Sequence, residues 1–88
     1  MLAGEEKLFE GYEIPRYRLV TKWSDGFVKH PAYSNSLETM FLEWEAFMED
    51  DTCYYNVITT VEDDQLVLGY ELPYVPVKKK VSKKRMRG

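Results

Sequence analysis

The 88-residue chain has one cysteine, Cys53, and one histidine, His30. A single thiol excludes an intramolecular disulfide and any Cys-rich metal centre, and it fits a reducing compartment. The five glycines stand singly at 4, 11, 26, 69 and 88, so no Gly-rich phosphate loop is present. No run approaches the ~20 apolar residues of a membrane span. The opening stretch MLAGEEKLFEG carries acids where a secretory signal carries bases. A cytoplasmic protein without membrane contact is expected. The final eleven residues lack acids altogether, and the first 77 are poor in bases.

That last pair of absences defines the chain. Residues 1–77 hold all fifteen Asp and Glu against five of the twelve Lys and Arg, a formal charge of −10. Residues 78–88 hold the other seven bases: Lys78, Lys79, Lys80, Lys83, Lys84, Arg85 and Arg87. The stated net charge of −3 hides this asymmetry. With 44% hydrophobic and 15% aromatic residues, the acidic part has the material for one core. The expected organisation is a single α+β domain over 1–77, followed by a flexible basic tail over 78–88.

The hydrophobic periodicity predicts two β-hairpins flanking one helix. In YRLVTKWSDGFVKHPAYS, Asp25-Gly26 suits a two-residue turn. That register pairs Trp23 with Val28, Leu19 with Ala32 and Lys22 with Lys29, and it turns Arg16, Arg18, Lys22, Lys29 and Tyr33 outward together. The spacing of Leu37, Met40, Phe41, Trp44 and Met48 predicts an amphipathic helix near 36–50, with Asn35 as N-cap and Phe47 widening the stripe. EEKLFE has the look of a short helical turn ending at Gly11. The second hairpin, with Asp63-Asp64 as its loop, sets Val57, Thr59 and Val61 beside Tyr70, Leu68 and Leu66. The fold expected is ββαββ: an antiparallel sheet of two hairpins with one amphipathic helix packed on one face.

No constellation for catalysis is visible. Neither His30 nor Cys53 lies in a pattern that activates a nucleophile, and Cys53 reads as a small buried hydrophobe. The acidic runs Glu49-Asp50-Asp51 and Glu62-Asp63-Asp64 lack the spaced oxygens and central glycine of a calcium loop. No catalytic residue, metal or cofactor is expected.

The basic tail attracts phosphates by counterion release, without reading sequence. Arg16, Arg18, Lys22 and Lys29, interleaved with Tyr33 as a stacking ring, extend that expectation to the first hairpin. Sequence-nonspecific RNA is therefore one expected partner. Glu43, Glu45, Glu49, Asp50 and Asp51 form the expected surface for a second, basic protein partner. Self-association, tail to acidic body, is also open.

In size and composition, with seven Tyr and two Trp in 88 residues, the chain resembles the small accessory proteins of large tailed phages. That resemblance implies a host-takeover or anti-defence role, exerted stoichiometrically in the host cytoplasm by binding rather than by catalysis. The function expected is a non-enzymatic RNA-binding adaptor or inhibitor of a host nucleic-acid-processing protein, an RNase or toxin for example, hence antitoxin-like. The alternative is a purely protein-binding inhibitor that mimics nucleic acid with its acidic body, the tail being only a tether.

Overall fold

A computed structural model describes residues 1–73. Its elements in chain order are α1 (Glu5–Leu8), β1 (Tyr17–Trp23), β2 (Ala32–Ser34), α2 (Leu37–Met48), β3 (Cys53–Thr60) and β4 (Leu66–Glu71). The expected tail, residues 78–88, lies outside the described residues.

Helix α2 is capped by Ser36, whose Oγ accepts the Thr39 N–H at 3.2 Å. Asn35, expected in that role, instead accepts the Arg16 N–H through Oδ1 at 2.9 Å and ties the helix entry to the start of β1. The predicted stripe does face the sheet. Met40 is buried, and Leu37, Trp44 and Phe47 pack on the cluster it forms with Leu19 and Ile58. Phe41, at the edge of the stripe, is 38% exposed.

The first hairpin turns on three residues rather than two. The Gly26 N–H donates to Trp23 O at 3.0 Å, and the Trp23 N–H donates to Phe27 O at 2.9 Å. Gly26 alone takes a positive φ, +98°, where a type I′ turn needs two such residues. The extra residue shifts the register beside the loop, so Lys22 lies opposite Val28. Farther along the strands the expected Leu19–Ala32 pair holds. The predicted Trp23–Val28 and Lys22–Lys29 pairs do not form.

The second hairpin slips in a similar way. Thr60 and Gln65 close a four-residue loop through Thr60 N–H to Gln65 O at 2.9 Å, with Asp64 at φ +54°. The ladder therefore pairs Asn56 with Tyr70, Val57 with Gly69 and Ile58 with Leu68. A one-residue slip exchanges the two faces of a strand. Ile58 and Asn56 of β3 take the helix side, and Val57 lies beside Gly69 rather than the expected Tyr70. Val61 leaves the ladder, is fully buried, and donates its N–H to Arg16 O at 3.0 Å.

The hairpins join through antiparallel β1–β3 pairing, which gives the strand order β2-β1-β3-β4. Helix α2 packs across one face of this four-stranded sheet, so the α+β, ββαββ architecture stands. Asn56, buried in the middle of the sheet, pins the helix: its Nδ2 donates to Trp44 O at 2.9 Å, and Trp44 Nε1 donates to Asn56 O at 2.8 Å. Thr21 Oγ1 donates to Asn56 Oδ1 at 3.0 Å, so both ends of this buried amide are satisfied. No helix among the described residues is long and apolar enough to cross a membrane.

Candidate functional site

The two faces of the sheet are finished differently, and the difference redistributes the charged residues. On the face away from α2, the N-terminal turn α1 covers one end. Glu5, buried although charged, receives Arg18 Nε at 2.7 Å on Oε2 and Arg18 Nη2 at 2.6 Å on Oε1. Tyr33 Oη donates to Glu5 Oε2 at 2.7 Å, and the Leu2 N–H donates to Oε1 at 2.9 Å. Arg18 completes its set with Thr59 Oγ1 at 2.7 Å, Asp64 Oδ1 at 2.9 Å and Val61 O at 3.3 Å. Phe9 closes the edge, its ring meeting that of Tyr33 edge-on with centroids 4.8 Å apart.

The bidentate fork from Arg18, joined by Tyr33 and the Leu2 amide, outweighs burial and holds the Glu5 carboxyl down at about 2. Burial first, then the bond to this carboxylate, pushes the Tyr33 phenol up to about 12. Glu5 stays ionised and Tyr33 protonated across the physiological range, so neither exchanges protons near neutrality.

The basic face expected on the first hairpin is therefore not assembled. Arg18 is 3% exposed and spent on Glu5, and half-buried Tyr33 has its hydroxyl on the same carboxylate. Lys22 is half-buried, with its ammonium 4.6 Å from the Tyr55 ring centroid. Lys29 lies across the sheet against Phe47 of α2, at 5.8 Å, because the shifted register turns it to the helix side. Arg16 alone is exposed, its guanidinium 6.0 Å from the Tyr17 ring. It borders a recess of about 310 Å³ lined also by Ile14, Pro15, Thr60, Glu62 and Asp63.

The acidic residues fare otherwise. Glu45, Glu49, Asp50 and Asp51 are exposed, and Glu43 is half-buried. Asp50 shapes the turn after α2: its Oδ1 accepts Thr52 N–H at 3.0 Å and Thr52 Oγ1 at 2.8 Å, which lowers its pKa. Thirteen acids but only two bases, Lys7 and Arg16, are exposed among the described residues. The outer stripe of α2 runs Glu38, Leu42, Glu45, Glu49 at helical spacing, with Phe41 beside it. Leu42 is 63% exposed, an apolar side chain with Glu38 one turn before it and Glu45 one turn after. The last turn of α2 contains no base.

Cys53 is buried, its Sγ 3.6 Å from Tyr55 O, and burial pushes its thiol above the ordinary range. A thiol so held is a poor nucleophile. His30 is exposed on the strand connection. No group of three His, Cys, Asp or Glu able to hold a metal ion is found among the described residues.

Sequence reasoning missed Glu5, Thr59, Asp64 and Leu42. The signal for Glu5 was present as a short acidic helical turn with Phe9, able to lie on a sheet face that alternation alone left open. Comparison with known proteins returns no matching family model, no similar curated protein and no similar solved structure.

Proposed function

We propose that the chain is a non-enzymatic binding protein whose folded body docks a basic, nucleic-acid-processing protein through the outer face of α2. The observation that carries the reading is the Glu38–Leu42–Glu45–Glu49 stripe with Phe41 beside it. An apolar centre inside a charged rim is how protein interfaces are built, and the rim here is of one sign. The site works by charge and shape, acting as inhibitor or adaptor. The withdrawal of Arg18 and Tyr33 into the Glu5 network favours this acidic surface over an RNA face on the first hairpin.

A second reading keeps RNA as a ligand of residues 78–88. Seven bases in eleven residues favour it, and it asks nothing of the hairpin.

The test replaces Leu42 with photoreactive benzoylphenylalanine in the full chain, with the same replacement at Tyr12, 78% exposed and off the helix, as control. The expected result is a nuclease-resistant crosslink to a basic protein at position 42, absent at position 12 and lost when Glu45→Lys is added. Equal crosslinking at both positions, or adducts that nuclease removes, would overturn the reading.

A further inference from the structure

We infer that residues 78–88 of the same chain are the resident occupant of the outer face of α2, so that a basic partner must displace the protein's own tail. The inference rests on reading that face as a docking surface for basic chains.

The path of the chain carries the argument. Beyond β4 the Leu72 N–H donates to Tyr54 O at 2.8 Å, and the Cys53 N–H donates to Asp50 O at 3.1 Å. The chain therefore leaves the sheet next to the turn that holds Glu49, Asp50 and Asp51. From Pro73 to Lys78 is five residues, up to about 17 Å when extended. From Glu49 back to Leu42 along α2 is about 10 Å at ~1.5 Å per residue. The tail reaches the whole stripe without disturbing the sheet.

Complementarity selects this destination. The helix end carries the negative pole of the macrodipole, and Glu49, Asp50 and Asp51 add like charge to it. Among described residues, α2 offers no base in its last turn to relieve that repulsion. A strip of seven bases supplies the relief, and Val81 and Met86 within it match the apolar Leu42 and Phe41. The other acidic run, Glu62 to Asp64, lies at the far end of β4, roughly 20 Å away at ~3.3 Å per strand residue. Its Asp64 is already engaged by Arg18 and by the Met1 amine at 2.9 Å.

The experiment uses the full chain with a nitroxide on Ser82→Cys, attached under native conditions in which Cys53 is buried. The parent chain treated alike reports any label on Cys53. The expected result is loss of amide NMR intensity at Leu42, Glu45, Ala46 and Glu49, with Glu62–Gln65 unaffected. Intensity should return in 1 M salt, where the Debye length falls to about 3 Å. It should also return in the Glu45→Lys, Glu49→Lys double variant, whose unchanged amide dispersion verifies folding. Broadening spread evenly over the surface, or unchanged by salt, would overturn the inference. So would broadening of α2 in a mixture where only the isotopically silent chains carry the nitroxide, since the tail would then belong to a second copy. A crosslink at position 42 with no nitroxide effect leaves the partner reading standing and the tail inference refuted. A nitroxide effect with no crosslink does the reverse.

Discussion

Glu5→Ala is the most informative single substitution. It removes the only buried carboxylate among the described residues and leaves Arg18, 3% exposed, with Asp64 as its one remaining acid, itself 41% exposed. Breaking a buried ion pair from one side costs about 3–5 kcal/mol. The titration of Glu5 gives a second route to the magnitude. A carboxyl lowered from 4.5 to about 2, at about 1.4 kcal/mol per pH unit, contributes about 3 kcal/mol. The folded value lies below the unfolded one. The contribution is therefore complete above about pH 4.5 and is lost as pH falls towards 2. Against a total of roughly 4–13 kcal/mol for a chain of this length, that is a large share.

The assay is urea unfolding of the full chain followed by tryptophan fluorescence. With a slope of about 1 kcal/mol/M for so small a domain, the Glu5→Ala midpoint at pH 7 should fall by about 3 M. The gap between parent and variant should narrow steadily between pH 4.5 and pH 2. Glu5→Leu combined with Arg18→Met should recover most of the loss, because apolar replacement of both partners removes the stranded charge. A midpoint within ~0.5 M of the parent at pH 7, or a gap indifferent to pH, would refute the buried-pair account.

Trp44→Ala should cost about 3 kcal/mol, read in the same assay, from lost packing and the lost bond to Asn56 O; an unmoved midpoint would mean Trp44 does not pin the helix. Cys53 should react with a thiol reagent only as fast as the chain opens, and the rate should rise sharply in urea above the midpoint; immediate reaction of the native protein would contradict its burial. His30→Ala, at an exposed position, should leave the midpoint within about 0.5 kcal/mol and the position-42 crosslink intact. In fluorescence-anisotropy titrations of a short RNA, the slope of log affinity against log salt should be roughly −3 for the full chain, fewer than its seven bases allow because the acidic body opposes the strand. Arg18→Met should leave that slope unchanged, as its charge is already neutralised, and a flatter slope would return Arg18 to the nucleic-acid surface.

The helix was legible in the sequence because its signal is dense. Met40, Trp44 and Leu37 recur with the helical period, and no other element competes for them. Leu19–Ala32 pairing was legible because it lies away from the loops. What failed lay next to turns. Asp25-Gly26 fits a two-residue and a three-residue loop equally well, and the choice shifts Lys22 from Lys29 to Val28. The run Glu62-Asp63-Asp64 is symmetric enough to hide where the strand ends, and one residue of error set Val57 opposite Tyr70 where the ladder has Gly69. Alternation also assigned Arg18 to solvent on the premise that one sheet face is open. That premise failed where α1 lies on it, and a four-residue helix leaves little periodicity to find.

The fate of Arg18 bears on the acidic surface in a way that composition conceals. Counted along the chain, the body carries five bases to offset fifteen acids. Folding withdraws Arg18 into Glu5, sets Lys22 against Tyr55 and Lys29 against Phe47, and among the described residues leaves two exposed bases facing thirteen exposed acids. The potential at α2 is thus set almost entirely by carboxylates, and it falls on the helix end where the macrodipole has the same sign. Under the proposed reading this gives the two halves of the chain opposite partners. A basic protein is drawn to the body and repelled by the tail, while a phosphate backbone is drawn to the tail and repelled by the body. If the tail rests on α2, each ligand frees the surface used by the other, so the two bind with positive coupling. By linkage, the factor by which RNA tightens the basic partner must equal the factor by which the partner tightens RNA. Measuring both factors in one salt concentration closes the cycle. A factor of one, in either order of addition, would mean that the tail does not hold the α2 face.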